Sequence, residues 1–291
     1  MRVFQVDAFT RTRFTGNPAT VVLDAEAQDD AALKAIAREF AHAETAFALS
    51  AGGPDHDVRV RFFNSRGEAP FVGHATLAAH AVLLAAGRRS RGICRQLSGT
   101  GIVEVRADEG GLIEFRQSAP ELDVPLPLKT TLRVAEALHL PATLLHETYP
   151  ARIARKGSSR LLVPVGDPRA LDGLAPNPDT LVALGRELGA EGFFVFSLSR
   201  GAGGLSTESR MFCPSLGIPE DPVSGNAHAM LAAYLWAEGS TADGAPVFVG
   251  HQGRHVNRPG EVRVSLEVDQ GLRAVRIAGS AVIVSEGTMI L

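Results

Sequence analysis

The chain has 291 residues, 45% of them hydrophobic, and a net charge of −3; it suits two lobes of ordinary domain size or one large domain, with a substantial core. Acidic and basic residues are interspersed without a basic stripe, which argues against nucleic acid as a partner, and no run approaches the ~20 apolar residues of a membrane span. MRVFQVDAFT at the start lacks the long apolar stretch of a signal peptide, and Cys94 and Cys213 form neither a disulfide framework nor a metal-ligand spacing, so a cytoplasmic protein with reduced thiols is expected.

In chain order, RVFQVDAF, ATVVLDA and TAFALS read as strands. Between the last two, DDAALKAIAREF places Leu33, Ile36, Ala37 and Phe40 at helical spacing. VRVRFF alternates as a strand, and a helix follows from Gly73. GIVEVRAD and GLIEFRQS form a hairpin over residues 101–118, turning at Glu109-Gly110-Gly111. PELDVPLPLKT, Pro120 to Thr130, reads as a proline-rich crossover. RLLVPVG, the helix PDTLVALGREL, the strand FFVFSLS and a helix after Gly225 come next, then the strands APVFVGH, EVRVSLEV and LRAVRIAG. The final strand, SAVIVSEGTMIL, has no counterpart before the crossover and is expected to return to the first lobe. The domains are therefore set at 1–122, completed by 280–291, and 123–279.

The order of elements repeats. EAPFVGHATLAAHAVLLAAG, Glu68 to Gly87, aligns without a gap on EDPVSGNAHAMLAAYLWAEG, Glu220 to Gly239, at an offset of 152 and with eight identities in twenty positions. Upstream, RFF (Arg61 to Phe63) pairs with RMF (Arg210 to Phe212), and Leu33, Ala35, Arg38 and Glu39 match Leu181, Ala183, Arg186 and Glu187. Two pairs in the same order point to duplicated lobes. Each aligned helix begins at a glycine, Gly73 or Gly225, and the first N–H groups of a helix have no partner within it. Together with the macrodipole they suit a carboxylate, and glycine lets a ligand approach closely. His74 in the first turn of its helix is expected to have a depressed pKa and to exchange protons as neutral imidazole. His56, His139, His146, His251 and His255 read as surface or loop residues; His42, His80 and His228 fit helix packing or capping. Glu68 and Glu220, symmetrically placed, read as structural.

VDAFT…FTGNPATVVL, AETAF, PFVGHATLAAHAVL and RMFCPSLGIPEDPVSGNA resemble, in order, the motifs of the phenazine-biosynthesis isomerase (PhzF-like) family, within the diaminopimelate-epimerase-like superfamily. The resemblance implies an α+β fold of two pseudo-symmetric lobes, each a β-barrel-like sheet around a central helix, with the active site between them, and a homodimer. It implies proton transfer without metal or organic cofactor, as in the isomerisation of trans-2,3-dihydro-3-hydroxyanthranilate. Glu44 stands at the family's proton-carrying glutamate, Gly73-His74 at its Gly-His, and Asp221 and Gly225 at the Asp and Gly of its E-D-P-x-T-G-S motif. Ser224 replaces the motif's Thr, and Asn226 replaces its Ser, which puts the substrate in question.

On this reading Glu44, His74 and Asp221 are the catalytic residues. Asn17, Gly73, Ser224, Gly225 and Asn226 bind a small carboxylic acid. By residue type alone Glu44 is a surface carboxylate after a helix, Asp221 a helix-dipole partner, and Asn17-Pro18 a common turn pair. The alternatives are a cofactor-independent amino-acid racemase or epimerase, and an idle small-molecule-binding protein on the same fold. No thiol stands at either helix head, which disfavours a two-cysteine racemase. Cys213 is expected to be buried.

Overall fold

The computed structural model describes residues 1–290 apart from 41, 43, 203 and 242–247. Ala43 of AETAF, Gly203, residues 245–247 of the expected strand APVFVGH and Leu291 therefore lie outside the described residues. The chain forms two compact units, Met1–Gln117 with Ala278–Leu291, and Ser118–Ile277.

The first unit runs β1 (Arg2–Ala8), β2 (Asn17–Leu23), α1 (Asp30–Phe40), β3 (Thr45–Ser50), β4 (Val58–Phe63), β5 (Glu68–Ala69), α2 (Gly73–Ala85), β6 (Gly92–Ser98), β7 (Gly101–Ala107) and β8 (Ile113–Ser118). The second contains β9 (Glu121–Leu122), α3 (Leu128–Ala137), β10 (Arg152–Arg155), β11 (Ser159–Val165), α4 (Pro178–Leu188), β12 (Gly192–Gly201), β13 (Gly204–Cys213), β14 (Ile218–Asp221), α5 (Gly225–Ala237), β15 (Phe248–Gln252), β16 (Gly260–Val268) and β17 (Leu272–Gly279). The last strand, β18 (Ala281–Thr288), lies antiparallel against β1, whose other edge is antiparallel to β2. β1 is thus an interior strand, one of whose two neighbours comes from the far end of the sequence.

A helix apolar on every side can satisfy the hydrophobic effect only if it is enclosed. Both Ala/Leu-rich helices meet that condition. α2 buries Ala75, Leu77, Ala78, Ala79, Val82 and Leu83, and β1, β2, β3, β4 and β18 pack around it. Their inward residues, among them Phe4, Val6, Val21, Ala46, Val60 and Phe62, complete that core. α5 is buried from Ala227 to Leu235 and packs against β9, β10, β11 and β16. Phe196 and Tyr234 meet edge to face beside it, at 5.5 Å between ring centroids.

Three sequence readings need correction. The crossover ends earlier than Thr130, because Pro127 in an extended conformation starts α3 at Leu128. β6, β10 and β13 were absent from the reading, although in β6 Cys94 and Gln96 point inward as an alternating strand requires. His56 is buried, since its ring folds back to accept the Gly52 N–H at 3.1 Å.

Candidate active site

The first unit brings Glu44 and His74 together. Glu44 is the last residue before β3, and the pairing of β2 with β3 holds it there: the Thr20 N–H donates to the Glu44 carbonyl at 3.3 Å. His74 is the second residue of α2. Its Nε2 lies 3.3 Å from Glu44 Oε2, with the two side chains 12% and 18% exposed, so the pair is shielded yet reachable. Burial, and then the charge of the neighbouring His42, push the His74 pKa down to about 4, leaving a neutral imidazole at neutral pH. His42 is itself tied to β2, with Nδ1 2.8 Å from Thr20 Oγ1. Sequence reading set this histidine aside as helix packing or capping; the contact with Thr20 arises from strand register, which motif spacing does not report.

The head of α2 is uncapped by any side chain, because Val72 at its N-cap carries no acceptor. Its N–H groups keep their capacity for an anionic ligand. Gly73 has a packing reason as well: a Cβ there would stand 3.0 Å from the Phe115 ring. Asn17 opens β2 and is 2% exposed. The preceding Gly16 has φ +65°, and a Cβ would fall 2.2 Å from the Ala8 carbonyl oxygen. Only glycine can make that turn without strain. Buried Asp7 secures the same loop by accepting the Phe14 N–H at 2.6 Å.

The second unit groups Asp221, Ser224, Gly225 and Asn226 at the head of α5. Here the helix is capped, for Ser224 Oγ accepts the Ala227 N–H at 3.2 Å. The Asn226 amide donates to Ser158 Oγ at 2.9 Å and toward the Lys156 carbonyl at 3.4 Å. This fixes its flip and ties it to the turn between β10 and β11. Gln252, which sequence reading missed, clamps the segment from both sides. Its Oε1 accepts the Ser224 N–H at 3.1 Å and its Nε2 donates to the Asp221 carbonyl at 2.7 Å. Cys213 is buried against Gly192 and Arg160, and burial pushes its thiol up to about 12, so it is no nucleophile.

The duplicated glutamates have the same structural role in both units. Arg61 pairs with Glu68 through two contacts of 2.8 and 2.6 Å, and Arg210 with Glu220 through two of 3.0 and 2.7 Å. Each guanidinium also lies 4.9 Å from a phenylalanine ring centroid, Phe63 or Phe212. His228 donates from Nδ1 to the Ser224 carbonyl at 2.7 Å, the position where Thr76 Oγ1 donates to the Val72 carbonyl at 2.8 Å in the other unit. His80 is also buried, its Nε2 2.9 Å from Gln96 Oε1.

The model of the PhzC-PhzF family, described as phenazine biosynthesis-like protein, matches residues 6–287. An uncharacterized isomerase, YddE, of Escherichia coli O157:H7 is 37% identical over 97% of this chain and 96% of its own length. A phenazine biosynthesis protein of the PhzF family from Bacillus anthracis has a crystal structure that superposes with a TM-score of 0.88, covering 100% of this chain and 99% of that one, at 25% identity. A predicted epimerase from Pseudomonas aeruginosa, 31% identical, superposes with a TM-score of 0.81 over 100% of this chain and 99% of its own.

Proposed function

This chain belongs to the phenazine biosynthesis-like (PhzC-PhzF) family and is an isomerase of it, and from that premise we propose that it moves a proton within a small carboxylic acid, with Glu44 as acid and base. The observation that carries the reading is the Glu44–His74 contact, 3.3 Å long and shielded, at an uncapped helix head. A carboxylate beside a neutral imidazole can take a proton from carbon and give it back without carrying a second charge into the site. The uncapped N–H groups of α2 would hold the substrate's carboxylate and stabilise charge that develops as the C–H bond breaks. Asn17 would border that position, since it opens the strand whose Thr20 N–H holds the Glu44 carbonyl.

Asp221 is proposed as a further catalytic residue, and Ser224, Gly225 and Asn226 as substrate contacts, from the family motif. With Ser224 Oγ occupied as a cap and the Asn226 amide tied to Ser158, the donors left at this head are backbone N–H groups. Asn226 Oδ1 is an acceptor in the place of the family's serine hydroxyl, which would favour a substrate donor such as an amine or hydroxyl. We further propose that the chain acts as a homodimer.

The test is NMR in D2O with trans-2,3-dihydro-3-hydroxyanthranilate, wild type beside Glu44→Gln. Loss of the substrate signals with wild type, and a rate reduced about 10²–10⁴-fold in the variant, supports Glu44 as the proton carrier. Equal rates would refute it. The similarity to a predicted epimerase makes amino-acid epimerisation the second reading. It needs another base facing Glu44, and α-deuteration of one member of an amino-acid panel would select it.

A further inference from the structure

At the end of α2 away from His74, the first unit has a cleft of about 570 Å³. β3 starts just after Glu44 and delivers Leu49 and Ser50 to this cleft, roughly 15–20 Å along the strand from the catalytic pair. The buried residues that line it, Ala48, Val58, Leu83 and Cys94, are apolar, and Ile93 beside them is 64% exposed. Arg88, Arg89 and Arg91, from the loop between α2 and β6, line it as well. We propose that this cleft is a second ligand site, for a small organic anion with an apolar body, a carboxylate or a phosphate monoester, held by Arg89 and the arginines on either side of it. Its chemistry is independent of proton transfer at Glu44.

Arg89 is half-buried, and its charge is permanent. Among the described residues it has only neutral partners: Nε donates to the Ser90 carbonyl at 3.1 Å, Nη2 to the Gly92 carbonyl at 2.8 Å, and Nη1 to His80 Nδ1. Burial lowers its pKa from the ordinary guanidinium value, as befits a cation short of counter-charge. Asp57, the acid that lines the cleft, is already taken by Arg95 at 2.9 Å. Arg88 and Arg91 pair with Asp24 at 2.5 Å and Glu109 at 2.9 Å, two carboxylates outside the lining. The cleft therefore sets three cations against one acid that is itself neutralised. The C-terminus of α2 does not cancel this excess, because the Arg88 and Arg89 N–H groups cap the Leu83 carbonyl at 2.8 and 3.3 Å. Guanidinium groups suit carboxylate and phosphate oxygens, and the apolar lining offers surface to a hydrocarbon body.

The experiment follows backbone amide resonances of the full-length protein by NMR during titration with benzoate, phenyl phosphate and benzyl alcohol at constant ionic strength. Saturable shifts at Ser50, Ser90, Ile93 and Cys94 are expected with at least one of the two anions, and binding of the uncharged alcohol should be at least about tenfold weaker. The tighter of the two anions tells carboxylate from phosphate monoester. The double variant Arg88→Gln/Arg91→Gln leaves the Arg89–His80 contact in place and should weaken the anion about tenfold. Arg89→Gln should abolish saturation; if that variant does not fold, the double variant decides. Equal affinity for benzyl alcohol, an unchanged affinity in the double variant, or no saturation up to about 10 mM of either anion overturns the proposal. So do shifts confined to Gly73 and His74, which would place the anion at the catalytic pair alone.

Discussion

The two arginine–glutamate pairs allow one molecule to test how environment sets the worth of an ion pair. Arg210 and Glu220 side chains are 10% and 12% exposed, while those of Arg61 and Glu68 are 14% and 40%. Removing Glu220 strands Arg210, which has no second carboxylate partner among the described residues and keeps only the Leu171 and Leu174 carbonyls. Removing Glu68 leaves Arg61 with Asp30 at 2.8 Å. Breaking a buried pair from one side costs ~3–5 kcal/mol, whereas a solvent-facing pair is worth ~0–1 kcal/mol. Since the Arg210–Glu220 pair is shielded but not dry, Glu220→Gln is expected to cost about 3 kcal/mol and Glu68→Gln under about 1 kcal/mol. Urea unfolding is the assay. The only tryptophan, Trp236, and both tyrosines, Tyr149 and Tyr234, lie in the second unit, so their fluorescence follows that unit, and far-UV circular dichroism follows both. Losses equal within about 0.5 kcal/mol, the error of such comparisons, would refute the argument from burial. So would a larger loss for Glu68→Gln.

Two further outcomes follow from the same physics. His74, His80 and His228 have pKa values pushed down by burial to about 4, 3 and 4. The unfolded chain, with ordinary histidines near 6.5, therefore binds more protons, and the stability these groups contribute is full above pH 6.5 and is lost as pH falls toward 4. Urea midpoints measured between pH 7 and 5 should fall, and His74→Gln should flatten the slope by about one proton. Gln252→Leu should cost ~1–3 kcal/mol by orphaning the buried Ser224 N–H and the Asp221 carbonyl, and should lower turnover as well as the melting temperature.

What the sequence carried best were elements whose pattern is local. TAFALS, VRVRFF and PDTLVALGREL coincide with β3, β4 and α4, because alternation or helical spacing with clear punctuation defines each of them. α3 was hidden because Pro127, which starts it, reads equally well as the end of a proline-rich crossover. The interactions around the candidate site were hidden for another reason. Thr20 meets His42 across 22 residues and Gln252 meets Asp221 across 31, through strand pairings that a motif does not encode. Asn17-Pro18 read as a turn pair, but these residues open β2 and the turn falls on Gly16, where the approach of the Ala8 carbonyl shows why no other residue serves.

The pairing of β18 with β1 has a consequence for biosynthesis. β1 leaves the ribosome first, and Ala281 and Ile283, which pack on the core it shares, leave it after all 160 residues of Ser118–Ile277. At ~5–20 residues per second the first unit, synthesised as far as Gln117, waits roughly 8–30 s for its last strand. During that interval the second unit can close while the first presents an unpaired edge and an incompletely covered α2. The unit holding Glu44 and His74 is thus the first begun and the last completed, and the nascent chain is most exposed to chaperones and to misassembly there.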